Sequence, residues 1–138
     1  MGTAWLALVI AVLMAAANVF EPVTVDDVCH HYYAQQVSLD PAAPFAFEAP
    51  WHQKPVDAWT IMVAPVHSYY WAPCIWLFPE SVVVWHLWFL PVQWLFCFSL
   101  LSLLQRWVRR SAGWLTAAIA LGPAVLPGLN LMLEVPML

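Results

Sequence analysis

Three stretches of this chain, residues 4–20, 81–105 and 113–133, contain no Asp, Glu, Lys or Arg. Each reaches or approaches the ~20 helical residues needed to cross a hydrocarbon core. Of the 138 residues 64% are hydrophobic and 9% charged, and ten are Trp. The mean hydropathy is +0.75. So few charged side chains cannot cover a soluble domain of this size. The sequence therefore predicts an all-α integral membrane protein: a single membrane domain of three transmembrane helices, with a long outer loop (residues 21–80) that contains amphipathic and interfacial helices.

Basic residues orient the spans. Arg106, Arg109 and Arg110, three of the four in the chain, fall within five positions between the second and third apolar runs. The positive-inside rule assigns that link to the cytoplasm. Residues 21–80 then lie outside, with seven carboxylates set against Lys54 alone. Glu134 is expected at the outer end of the third span. The expected location is the bacterial inner membrane, with the loop on its periplasmic or extracytoplasmic side.

A cleaved secretory signal ending near Ala15-Ala16-Ala17 is the alternative to the first span. The absence of Lys and Arg from residues 1–5, and an apolar run longer than a usual signal core, favour retention. Cys29, Cys74 and Cys97 form no metal or disulfide motif. Cys97, inside the second run, reads as a small apolar filler, and pairing of Cys29 with Cys74 is left open by spacing. The low basic content excludes nucleic-acid binding.

Within the outer loop, Thr24-Val25-Asp26-Asp27 has the spacing of a helix N-terminal cap. The helix it opens is expected to stop near Ser38, because Asp40 precedes Pro41. Asp26 and His30 are four apart, as are Asp27 and His31, so each pair shares a helix face. Tyr33 continues the face of Asp26. Residues 41–55 hold four prolines and no helical period, which predicts an irregular loop carrying Trp51, His52, Gln53 and Lys54. Residues 59–79 are aromatic and broken by Pro65 and Pro73, which suits an interfacial helix bearing Trp59, Tyr69, Tyr70, Trp71 and Trp76.

The order of these elements resembles the GT-C glycosyltransferases, a superfamily that includes protein mannosyltransferases and aminoarabinose transferases. Asp26-Asp27-Val28-Cys29-His30-His31-Tyr32-Tyr33-Ala34, following a first span, resembles their first outer loop. Asp40-Pro41 to Phe47 resembles the proline-rich loop, and Trp51-His52-Gln53-Lys54-Pro55 an aromatic turn. Pro65-Val66-His67-Ser68-Tyr69-Tyr70-Trp71-Ala72 is similar to the second loop helix, and Phe78-Pro79-Glu80-Ser81 to the entry of the next span. Asn130-Leu131-Met132-Leu133-Glu134-Val135-Pro136 resembles a second acidic motif, with Glu where Asp is usual. Members of the superfamily are several times longer, so the resemblance makes this chain the N-terminal portion of such an enzyme, inactive alone.

The resemblance implies inverting sugar transfer from a polyprenyl-phosphate donor at the outer face. Asp26 would be the general base, with Asp27 and Glu134 orienting the acceptor or holding a divalent cation. Tyr33, Lys54 and His67 would contact substrate, and Asp26, His30 and Glu134 are the candidate metal ligands. Asp26 and Glu134 would share one outer cavity. Expected partners are the lipid-linked sugar, membrane lipid, and other membrane subunits or the missing C-terminal spans.

Plainer roles stand beside these. Acids in a first helical turn serve as caps; His30 and His31 suit a polar surface; Glu134 suits an interface; and residues 69–76 suit an aromatic belt as well as a sugar platform. His86, in an apolar run, is either satisfied by a hydrogen bond near the headgroups or a pigment or haem ligand. The alternative function is a non-catalytic small subunit of a larger membrane complex, pigment-bearing or redox-active.

Overall fold

A computed structural model describes residues 2–20, 25–51, 54–61 and 65–126, and the account below concerns these. In chain order the elements are α1 (Thr3–Asn18), α2 (Val25–Leu39), β1 (Glu48–Trp51), β2 (Lys54–Asp57), α3 (Ala58–Ile61), α4 (Pro65–Leu77), α5 (Val82–Trp88), α6 (Leu90–Gln105) and α7 (Ala112–Ala120). The chain divides into two units, Met1–Glu21 with His86–Leu138, and Pro22–Trp85.

In the first unit α1 packs on α6 and α7 around Ala7, Ile10, Ala11, Met14, Cys97 and Leu101. Small residues at such a seam let helix backbones approach closely. A Cβ on Gly113 of α7 would come within 3.0 Å of Leu6 Cδ2, so that approach is tight. Cys97 fills a fully buried gap, its Sγ 3.6 Å from Met14 Sδ, as its position suggested. Thr3 Oγ1 donates to Gln105 Oε1 at 3.2 Å, which ties the start of α1 to the end of α6. Asn18 Nδ2 donates to the Leu126 carbonyl at 2.9 Å, which ties the end of α1 to the turns after α7.

Beside this apolar core the unit buries polar side chains and exposes several large apolar ones. Asn18, Gln93 and Thr116 are buried, while Trp5, Leu13, Leu95, Leu103 and Trp114 are exposed. Thr116 satisfies its hydroxyl on the Ala112 carbonyl of its own helix, at 2.8 Å.

Of the expected spans, the second has the required length: Val82–Gln105 is 24 residues long and apolar enough to cross a membrane. It is interrupted at Phe89, between α5 and α6. Pro91 lacks the N–H that would bond the Leu87 carbonyl and its ring crowds that carbonyl. The chain responds with tighter bonds, Phe89 N–H to His86 O at 3.2 Å and Val92 N–H to Phe89 O at 3.0 Å. His86 itself is buried. The first expected span is apolar but spans only 16 helical residues. The third, expected over 113–133, departs further. Its helix ends at Ala120 and turns follow through Leu126. Pro123 cannot continue a helix and disfavours helical geometry at Gly122. A Cβ at Gly122 would sit 2.8 Å from the Ala118 carbonyl, so only glycine fits this exit. Residues 127–138 lie outside the described residues.

In the second unit α2 packs against α4. α2 matches its expected extent within one residue at each end, though Thr24 lies outside the described residues. Its stop is fixed by Asp40, whose Oδ1 accepts from Ala42 N–H at 3.0 Å, and by Gln36 Nε2 donating to the Ala43 carbonyl at 3.1 Å. Two expectations are corrected here. Residues 48–57 are not irregular but an antiparallel hairpin, with Pro50 opposite Pro55 and Trp51 opposite Lys54, so the fold is mostly helical rather than all-α. In a ribbon closed by two residues, the pair one step from the turn exchanges no ladder hydrogen bonds, and prolines lose nothing there. Nor does Pro73 interrupt α4. Pro65 begins that helix, a position where a missing N–H costs nothing, and Pro73 lies within it on an exposed face. Cys29 and Cys74 are both buried and no disulfide joins them, so the pairing left open by spacing is not formed.

Candidate functional site

The helix face chosen by residue spacing explains which side chains meet. On α4, His67, Ser68, Trp71, Ala72, Cys74 and Ile75 form one buried stripe. On α2, Cys29, Tyr33, Ala34 and Val37 are buried. His30 and His31 are consecutive, so they diverge by about 100° on the helix and meet different residues of the α4 stripe.

His30 meets His67, their Nδ1 atoms 3.3 Å apart and their rings edge to face at 4.8 Å between centroids. His31 lies against Trp85 at 4.7 Å and Trp71 at 5.8 Å. Trp71, fully buried, also touches Trp85 and the His67 ring, each at 5.8 Å. Trp85 is pinned by its indole N–H, which donates to the Phe78 carbonyl at 2.7 Å. The result is a layer of three imidazoles and two indoles in one small apolar space.

Burial governs their charge. Loss of hydration, with the His30 ring beside it, lowers the His67 imidazole to about 4. Burial lowers His31 in the same direction. Both are therefore neutral at pH 7 and keep a lone pair for a proton or a cation. A contact between two Nδ1 atoms has room for one proton, so one ring donates and the other accepts. The same separation matches that of two nitrogens ~2.0–2.1 Å from one tetrahedral ion. Among the described residues, no three His, Cys, Asp or Glu side chains converge on a metal site.

The remaining predicted residues fall in different surroundings. Asp26 and Asp27 occupy the first turn of α2 by backbone, one turn before His30 and His31. Their carboxylates, and the whole of Glu134, lie outside the described residues. Tyr33 is turned into a core of Cys29, Ala58, Phe45 and Phe47, and its hydroxyl donates to the Ala58 carbonyl. That contact gives it a packing role. Lys54 is exposed at the start of β2, while His52 and Gln53 lie outside the described residues. The aromatic segment 69–76 divides: Trp71 is core, whereas Tyr69 and Trp76 line a groove of about 330 Å³ with Val37, Pro41 and Pro73. Tyr69 also donates its hydroxyl to the Pro41 carbonyl, which holds the loop after α2 to α4.

The pairing of His30 with His67 was not foreseen. They are 37 positions apart, and only the buried stripe on α4 hinted that His67 faces inward. No family profile, curated protein or solved structure matches this chain.

Proposed function

We propose that the first unit lies in a lipid bilayer and that the second works at its outer face, in inverting transfer of a sugar from a polyprenyl-phosphate donor. The surface of the first unit supports the membrane half of this reading: large apolar side chains outside, with Asn18, Gln93 and Thr116 inside, suit lipid better than water. The observation that carries the catalytic half is the contact of His67 with His30, one helical turn from Asp26. It joins the acid-bearing helix and the second loop helix, two of the elements on which the GT-C resemblance rests.

In this mechanism Asp26 accepts the proton of an acceptor hydroxyl. The oxygen attacks the anomeric carbon from the face opposite the phosphate, and the carbon–oxygen bond to phosphate breaks with its electron pair leaving on the phosphate. Developing charge on that phosphate requires a cation. Lys54 is the one cationic side chain of the second unit. His30 and His67 would offer two imidazole nitrogens to a divalent cation. Asp27 and Glu134 would orient the acceptor.

The test is transfer from a labelled polyprenyl-phosphate sugar in membranes carrying the native gene product. Asp26→Asn keeps the shape and removes the base, so transfer should fall ~10²–10⁴-fold with the protein still folded. Unchanged transfer would reduce Asp26 to a helix cap.

A second reading, a non-catalytic subunit of a larger membrane complex, draws on one observation. Trp107 and Trp114 are each more than four-fifths exposed on the first unit, as side chains packed against other spans would be when isolated. Copurification of further membrane chains with no transfer activity would favour it.

A further inference from the structure

In the first unit, the start of α1, the end of α6 and the start of α7 enclose a groove of about 420 Å³. Its walls are of two kinds. Leu6, Val9 and Leu13 line it along α1, a strip more than 10 Å long at 1.5 Å per residue. Arg109 and Arg110 line its mouth, with Trp114 beside them. Both guanidinium groups belong to exposed residues, and no carboxylate lines the groove. The N-terminus of α7 opens here as well, and Ser111 provides it with no side-chain cap. Its first N–H groups and helix dipole add to the positive end.

We propose that this groove binds an anionic phospholipid, with the phosphate on Arg109 and Arg110 and an acyl chain along Leu6, Val9 and Leu13. The inference rests on the membrane reading above and extends it to a specific lipid class. Charge complementarity selects the occupant: a two-arginine mouth on an apolar trough fits one molecule with a phosphate at one end and hydrocarbon at the other. A zwitterionic lipid offers the same chain but opposes the two arginines with its own cation. A soluble phosphate leaves the trough unfilled. Trp114 suits the headgroup level, where amphipathic rings settle.

The test uses the full chain in phosphatidylcholine vesicles containing a small fraction of spin-labelled phosphatidylglycerol or spin-labelled phosphatidylcholine. The fraction of label held immobile by protein gives relative affinity. Phosphatidylglycerol should be preferred roughly tenfold at this site. Arg109→Gln with Arg110→Gln should bring the preference to within about twofold, while the double Lys variant should keep most of it. If the double Gln variant fails to reconstitute, Arg110→Gln alone serves, with a loss of about threefold expected. Equal retention of the two lipids by the wild-type chain would overturn the proposal. So would an undiminished preference in the Gln variants, or displacement of the lipid by millimolar inorganic phosphate. Flotation with the vesicles is scored separately: a chain that floats but shows no preference loses the lipid groove and keeps the membrane reading, whereas a chain that does not float loses both.

Discussion

The imidazoles of His30 and His67 meet Nδ1 to Nδ1 at 3.3 Å across the α2–α4 seam. Each ring thereby limits the other, since two protonated Nδ1 atoms cannot face one another. The fully buried indole of Trp71 lies 5.8 Å from the His67 ring. Burial keeps the His67 imidazole neutral at physiological pH, and helix packing alone forms its contact with His30.

Stability of the second unit should therefore depend on pH. His67 sits near 4 in the folded state against an ordinary 6.5, so the unfolded chain binds more protons between those values. Its contribution is fully present above about pH 6.5 and is lost as pH falls toward about 4, a penalty on the order of 3 kcal/mol. Burial of His31 acts in the same sense. Thermal unfolding followed by circular dichroism should show this decline, and His67→Gln should flatten it. A pH-independent melting temperature in the wild-type chain would refute the buried, neutral His67.

Trp71 should be the most costly side chain of the second unit to remove. It is fully buried and in ring contact with His31, His67 and Trp85. Trp71→Ala should cost ~3–5 kcal/mol, and Trp71→Phe distinctly less. Denaturant titration would measure both, and an Ala variant within 1 kcal/mol of wild type would contradict the packing described.

Two glycines in the first unit should respond unequally to alanine. At Gly122 the new methyl meets a backbone carbonyl at 2.8 Å, which cannot withdraw without moving α7. At Gly113 it meets the tip of Leu6 at 3.0 Å, which can rotate. Gly122→Ala should destabilise by ~1–3 kcal/mol and Gly113→Ala by less. Unfolding in detergent gives the comparison, and the reverse order would show that Leu6 is the more rigid neighbour.

Kinetics of the acids should separate their roles. Asp26→Asn should remove most transfer, while the loss of a cap charge alone affects stability by at most ~1 kcal/mol. Glu134→Gln should be milder if that residue only orients the acceptor. A loss as severe as that of Asp26→Asn would instead make Glu134 a ligand of an essential cation.

Local signals made parts of this fold readable and left others hidden. α2 was legible because its acidic start and the Asp40-Pro41 stop are short-range features, and Cys97 was legible because an apolar run surrounds it. The hairpin was not. Prolines argue against strands in general, and only the register that sets Pro50 against Pro55 makes them harmless. α4 shows the same limit: Pro73 reads as a break, yet on an exposed face the helix carries it. In the third apolar run, composition suggested a span and Gly122-Pro123 ended the helix early. At the candidate site, Asp26, His30 and His67 were each identified as residues of interest. Their geometry depended on a helix–helix contact over 37 positions, which no local pattern encodes.

Placement of the first unit within the bilayer and of the second outside it is open to a direct test. Single cysteines at Ser111, in the basic link, and at Ala46, an exposed position of the second unit, would report the side directly. In intact cells treated with a membrane-impermeant maleimide, the Ala46→Cys chain should be labelled, and the Ser111→Cys chain only after the cells are opened. Labelling of Ser111→Cys in intact cells with protection of Ala46→Cys would reverse the orientation and remove the outer-face site.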